Sequence, residues 1–406
     1  MHYHSFIRGA ILCCAGVITG AAFGQTTVVA DVSILSGESG AGTVDITYAL
    51  SRDNTISLFL SKDGGETFPF PLTLLTGDVG AGVTAGLDKR VVWFAAAEFP
   101  NQNISKAVIR VVAGVPLAEF KPTMVKVPAS TFVMGRTAFA VPTHVVTLSP
   151  YEIGKFEVTN EEYAAVLNFA LARQYLRNSD NVTFYSGGSV HSNGELMLGL
   201  PSSLILFSGG LFRAQIGAEK LPVIRATWFG AISFCNWASE MNGLLPAYTL
   251  GGSWALTDPL TNGYRLPTEA EWERAAKWDP LAAGNEWTYS VKSDALDGTR
   301  ANFGLLEGNV LDVGYFDGVN GSSKDSSSPV GCFDLSGNVA EWCHDWLGAY
   351  TSDDQTNPTG ATTGTDRVVR GGDWARVIGF TASTIRDNAP PGSSNDAVGF
   401  RIARTR

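Results

Sequence analysis

Between residues 26 and 112, apolar and polar side chains alternate with a period of two. The stretches 26–33, 43–48, 56–60, 89–94 and 106–112 each place their apolar residues on one face, which predicts strands. Lys62-Asp-Gly-Gly-Glu66 has the composition of a tight turn between two of them. Short strands at this spacing predict that residues 26–116 form a small immunoglobulin-like or fibronectin-like β-sandwich. Gly114 to Pro122 reads as a linker, and beyond it the pattern changes.

From residue 122 on, helical periodicity appears in three places, each with a start signal. Thr159-Asn-Glu-Glu162 is a capping box ahead of Tyr163, Val166, Leu167 and Ala170, which share one helical face. Thr227 can cap the apolar run Trp228 to Met241, with Gly243 as its stop. Thr268-Glu-Ala-Glu271 is a second capping box before Trp272, Ala275 and Ala276. After Lys277 the helical period is lost, so turns and short strands are expected there. The 45 glycines and 18 prolines agree with an irregular α+β fold. In the insertion at 172–220, Tyr185-Ser-Gly-Gly and Phe207-Ser-Gly-Gly-Leu-Phe read as hairpin turns.

The amino terminus modifies this picture. His2 to Arg8 make a short basic region, Ala10 to Phe23 an apolar one, and Ala22-Phe-Gly24 a small-x-small cleavage site. Residues 1–24 therefore read as an export signal, placing the protein in a periplasm or outside the cell, and no later apolar run is long enough for a membrane span. The net charge is −10 with no Lys/Arg-rich run, which argues against nucleic acid as a partner. Beyond the signal, three cysteines remain: Cys235, Cys332 and Cys343. In an oxidising compartment Cys332 and Cys343 are positioned to staple the loop between them, while buried free thiols are the competing reading. Cys235, on a helix beside Trp237, reads as a core residue.

Long motifs then accumulate in order: Met124-Val-Lys-Val-Pro-Ala-Ser-Thr-Phe-Val-Met-Gly, Lys155-Phe-Glu-Val-Thr-Asn-Glu-Glu-Tyr, Gly263-Tyr-Arg-Leu-Pro-Thr-Glu-Ala-Glu-Trp-Glu-Arg, Asp334-Leu-Ser-Gly-Asn-Val-Ala-Glu-Trp, Arg370-Gly-Gly-Asp-Trp and Val398-Gly-Phe-Arg. Over residues 122–406 they resemble the formylglycine-generating enzyme, or sulfatase-modifying factor, family. The resemblance implies an irregular C-type-lectin-like domain. It also implies the family's chemistry, in which copper and oxygen convert a sulfatase cysteine in a Cys-x-Pro-x-Arg context to formylglycine. That chemistry needs two thiolates to hold Cu(I). The matching positions here are Arg376 and Thr381, Asp373 stands for the family's serine, and Ala340 stands for its tryptophan. A permanently protonated guanidinium cannot ligate copper, so copper is not expected. His144, His191 and His344 lie in unlike contexts and do not suggest the iron site of other family branches.

The resemblance further implies calcium, held by oxygen ligands in flexible loops. One set would be the Asp334 and Glu341 side chains with the Gly337 and Val339 carbonyls. A second would begin at Asn302 and the Phe303 carbonyl, with Glu307 or Asp312 as the carboxylate. The alternative for these residues is Asx-turn hydrogen bonding without metal. Asp373, Arg376 and Arg386 would occupy the former catalytic cleft, as a structural salt bridge or as a polar pocket for an anionic or glycan-like ligand. Together these readings point to an exported, calcium-stabilised binding or accessory protein, with a protein, a glycan or a sulfatase as partner. The competing expectation is a metal-dependent oxidase using Cys332, Cys343 and His344.

Overall fold

The computed structural model describes residues 28–405 apart from 34–42, 51–53, 63–69, 73, 100–107, 114–119, 138–139, 174, 177–184, 187–188, 200–202, 209–210, 258–261 and 279–285. The export signal at 1–24, most of the linker and residues 63–66 of the predicted turn lie outside the described residues. The chain divides into two compact units, one of residues 1–117 and 207–212, the other of residues 118–206 and 213–406. No helix of the described residues is long and apolar enough to cross a membrane.

In the first unit the period-two pattern produces antiparallel strands. Val28–Ser33, Val44–Leu50, Gly86–Trp93 and Leu75–Gly77 form one sheet in that order. Asn54–Ser61 pairs with Phe70–Pro71, Gly80–Val83 and Val108–Ala113 in another. Ile46, Tyr48 and Leu50 of one sheet share a core with Ile56, Leu58 and Leu60 of the other, together with Val91 and Trp93. Asp45 is the exception to alternation, because it is buried and ion-paired to Arg90.

Among the described residues of the second unit, the three expected helices begin at the threonines expected to cap them. Thr159 and Thr268 form complete capping boxes with Glu162 and Glu271 at Asn160–Ala172 and Glu269–Lys277, and the Thr227 hydroxyl accepts from the Gly230 amide at Trp228–Met241. Capping is decided within one turn, so local sequence suffices. Glu269–Lys277 departs from the pattern of a surface helix, since all nine residues are buried. Its charges are neutralised partly from far along the chain, Glu269 by Arg370 and Arg386 and Glu273 by Arg370, and partly within the helix, Glu273 by Lys277.

After Lys277 the chain makes short strands and turns. The strand Ala340–Trp346 lies between Arg367–Arg370, antiparallel, and Val398–Gly399, parallel, with Asp387–Ala389 beyond Arg367–Arg370. Tyr151–Gly154 is buried throughout between Met124–Val127 and Ala403–Thr405. In the insertion, Tyr185–Ser186 pairs with Ser189–Ser192, and the latter also pairs with Glu195–Gly199. Trp272, Leu335, Val368 and Tyr151 knit these pieces into one core.

That core corrects the disulfide expectation. Cys332 and Cys343 are both free thiols, each fully buried among the apolar side chains of this cluster. They pack as small hydrophobes, and burial pushes the Cys332 thiol up to about 11 and the Cys343 thiol well above its ordinary value. Cys235 is likewise free and buried.

Candidate functional site

The Asp334–Glu341 loop is built on left-handed backbone at Asp334 (φ 62°), Gly337 (φ 95°) and Asn338 (φ 61°). Gly337 is required by space as well as by φ, since a Cβ there would meet the Asn302 carbonyl oxygen at 2.3 Å. The Asn338 amide donates to that same carbonyl at 2.8 Å, so the two segments expected to hold calcium lie against each other. Asn338 then ties the cluster together. Its Nδ2 donates to Glu157 Oε1 at 3.2 Å and to the Leu311 carbonyl at 3.3 Å, and its Oδ1 accepts from the Leu311 amide at 2.9 Å.

Glu157 is the residue that sequence reasoning missed. It is fully buried and hydrogen-bonds Asp334, whose Oδ2 also accepts from the Gly314 amide at 2.6 Å. Desolvation is the leading cause that raises both carboxyls: Asp334 goes up to about 6, and Glu157, facing the Asp334 charge as well, goes well above its ordinary value. The only signal in the sequence was an acid inside Lys155-Phe-Glu-Val, two residues before a helix cap. Asn302 is linked to Glu157 through Asn338, whose Oδ1 accepts from Asn302 Nδ2 at 3.4 Å. Its Nδ2 donates to the Asn309 carbonyl at 2.8 Å, while its Oδ1 is buried with no hydrogen-bond partner. A small cavity of about 90 Å³, lined by Lys121, Thr123, Phe156, Thr159 and Ile402, reaches Glu157.

Glu341 does not join this set. Arg401 donates Nε to its Oε2 at 2.6 Å and Nη2 to its Oε1 at 2.7 Å, and Trp272 Nε1 donates to Oε2 at 2.8 Å. Both oxygens are committed to a fully buried ion pair with Arg401, whereas the resemblance implied Glu341 as a calcium ligand. The Phe303 carbonyl accepts from the Leu306 amide and closes a turn. Among the described residues, no group of three or more His, Cys, Asp or Glu side chains is placed to hold a metal, and His144, His191 and His344 form no such group. The carboxyls of Glu157 and Asp334 meet here, and the orphaned Asn302 Oδ1 belongs to the segment that Asn338 ties to Glu157. They are all oxygens, which suits a hard divalent cation rather than copper.

At the positions of the family's copper thiolates the chemistry is different. Arg376 is half-exposed and pairs with Asp387 at 2.8 Å and Asp373 at 3.6 Å. Asp373 Oδ1 accepts from the Ala375 and Arg376 amides, closing the loop on itself. Thr381 is buried in the 3-10 turn Ile378–Thr381 and donates its hydroxyl proton to the Ile378 carbonyl at 2.9 Å. Of the three expected pocket residues, Asp373 and Arg376 therefore meet as a salt bridge. Arg386 points elsewhere, gripping Glu269 through Nε at 2.6 Å and Nη2 at 2.8 Å, and stacking on Tyr350.

Comparison with known proteins agrees with this architecture. Residues 114–406 match the sulfatase-modifying factor enzyme 1-like domain. The chain belongs to the sulfatase-modifying factor family. Within it, the formylglycine-generating enzyme of Thermomonospora curvata is 28% identical over 327 residues, covering 70% of this chain and 94% of that protein. The chaperone protein LppX of Paenibacillus barcinonensis is 25% identical over 281 residues, covering 64% of this chain and 82% of LppX. The serine/threonine-protein kinase pkn1 of Chlamydia pneumoniae is 27% identical over 268 residues, 65% of this chain. The chain spans only about a third (34%) of that kinase's length. Among solved structures, Treponema denticola variable protein 1 aligns with a TM-score of 0.52 at 26% identity, covering 72% of this chain and 98% of that one.

Proposed function

We propose that this sulfatase-modifying-factor protein is an exported binding or accessory module whose scaffold is held by calcium and which does not carry out copper-thiolate oxidation. The observation that carries this reading is the Arg376 and Thr381 pair. One is an always-charged side chain spent on two aspartates, and the other is a buried hydroxyl spent on its own turn. Neither can supply the soft sulfur that Cu(I) needs. The described cysteines lie elsewhere, buried, with thiols shifted away from the thiolate. A 25% identical relative named a chaperone, LppX, is consistent with an accessory role.

Calcium in this reading is held by Glu157, Asp334 and Asn302 Oδ1, with the cavity beside Glu157 as the entry path. The bound ion would neutralise two carboxyls whose proton affinity is raised first by desolvation, and would fix the left-handed loop at 334–338. The two sheets of residues 28–113 are read as an immunoglobulin-like sandwich that spaces or supplements a lectin-like second domain. Its partner would be a glycan, a protein or a sulfatase met after export.

The test incubates the purified protein with copper, calcium and a Cys-x-Pro-x-Arg peptide, and follows thiol-to-aldehyde conversion by mass spectrometry. No conversion above the protein-free control, together with a calcium-dependent rise in melting temperature, is the expected result. Conversion would overturn the reading and assign the protein the oxidase activity of the formylglycine-generating enzymes it resembles.

A further inference from the structure

The two capping boxes of the second unit share a motif and differ in what faces the glutamate. At Glu269–Lys277, Glu271 Oε2 accepts from the Thr268 amide at 2.9 Å, and a buried arginine takes the rest of the carboxylate. Arg265 Nη1 donates to Oε2 at 2.6 Å and Nη2 to Oε1 at 2.8 Å. At Asn160–Ala172, Glu162 Oε2 likewise accepts from the Thr159 amide at 2.9 Å and from the Thr159 hydroxyl at 3.1 Å. Its Oε1 accepts from no group among the described residues and is not sealed from solvent.

Where Glu271 meets a guanidinium, Glu162 meets a space. It lines the cavity of about 90 Å³ that reaches Glu157, with Phe120, Phe156, Thr159 and Ile402 among the walls. That volume leaves room for more than one water-sized group. Desolvation is the leading cause that raises the Glu162 carboxyl, the Glu161 charge adds to it, and no cation is among the groups acting on it. Lys121, also on the cavity, is solvent-exposed, and the Lys155 ammonium sits over the Phe156 and Phe333 rings at 5.2 and 5.3 Å. The helix dipole opposes a cation beside a helix start. A glutamate at the third helical position offsets that field, as Glu271 does for Arg265.

We propose that this cavity binds the ammonium end of an alkylamine, with Glu162 Oε1 accepting its N–H groups and Phe120, Phe156 and Ile402 surrounding its methylenes. Thr159 already gives Oε2 two donors, which leaves one open oxygen. One oxygen suits a compact ammonium with three rotatable donors, whereas a guanidinium fork asks for two. The apolar walls favour a short alkyl stem over a bare hydrated ion, and aromatic faces tolerate the positive head. The site does not rest on the calcium reading, because Glu162 lies outside that ligand set.

The experiment titrates the full chain with n-propylammonium chloride at constant ionic strength and fixed calcium, followed by calorimetry. Potassium, tetramethylammonium and n-propanol are the comparison probes. Saturable propylammonium binding is expected, weakened about tenfold or more in Glu162→Gln. Glutamine serves a capping box as glutamate does, so this variant keeps the helix start and loses only the charge. Glu161→Gln, one residue away and exposed, should bind as wild type does. Nα-acetyl-lysine amide bound with the same dependence on Glu162 supports the site and marks a protein lysine as the source, while its exclusion beside bound propylammonium marks a free amine. No saturable binding, equal affinity in Glu162→Gln, or any of the three comparison probes bound as tightly as propylammonium would overturn the proposal.

Discussion

Replacing Glu341 by glutamine separates the two roles available to that residue. In the fold both its oxygens face Arg401 and one also accepts from Trp272, and neither Glu341 nor Arg401 is exposed. The amide keeps the shape and one acceptor, but it turns an N–H toward guanidinium donors and leaves a buried cation unpaired. Removing one partner of a buried ion pair costs about 3–5 kcal/mol, so the unfolded fraction should rise between about a hundredfold and a few thousandfold. Urea denaturation followed by tryptophan emission, with calcium and with a chelator, measures the loss. Because Arg401 rather than calcium is the partner, the loss should be the same in both. The double variant Glu341→Gln with Arg401→Met should recover much of it, since removing both charges also removes the desolvation penalty. A loss below about 1 kcal/mol, or a loss seen only with calcium present, would refute the assignment of Glu341 to Arg401.

Further outcomes are expected. Glu157→Gln should abolish calcium-dependent thermal stabilisation while leaving the chelated protein as stable as wild type or more so, because it removes one of two adjacent buried carboxyls; unchanged calcium stabilisation would rule out Glu157 as a ligand. Asp345, buried beside Glu269, has its carboxyl pushed up to about 8, first by desolvation and then by the Glu269 charge. Its contribution is full below the unfolded value near 3.8 and is lost as pH rises toward 8, with a slope of up to about 1.4 kcal/mol per pH unit. Asp345→Asn should therefore flatten the fall in stability between these limits, as read by denaturation curves across that range. Gly337→Ala should destabilise by about 2 kcal/mol or more, combining a left-handed penalty with the clash against the Asn302 carbonyl. Thr268→Ala should cost about 1 kcal/mol through loss of the capping box, a shift visible in the same denaturation curves.

What could be read from residues alone was whatever chemistry closes within a few positions of chain. Thr159, Thr227 and Thr268 start helices because a side-chain oxygen meets an amide two or three residues on. The strands of the first unit follow from a period of two, and the motif series of residues 122–406 carries the family. Charge partners are another matter, since they are chosen among residues that only folding brings together. Glu341 meets Arg401 across 60 positions, Arg386 meets Glu269 across 117, and Asn338 meets Glu157 across 181. The family resemblance implied Glu341 as a ligand beside Asp334, whereas in the fold the guanidinium of Arg401 takes both its oxygens. The same holds for Cys332 and Cys343, which a short intervening loop suggested as a pair and which the core instead absorbed as separate apolar fillers. Local geometry needs only neighbours in sequence, but in a dry interior a charge must be matched by whichever opposite charge the tertiary fold delivers.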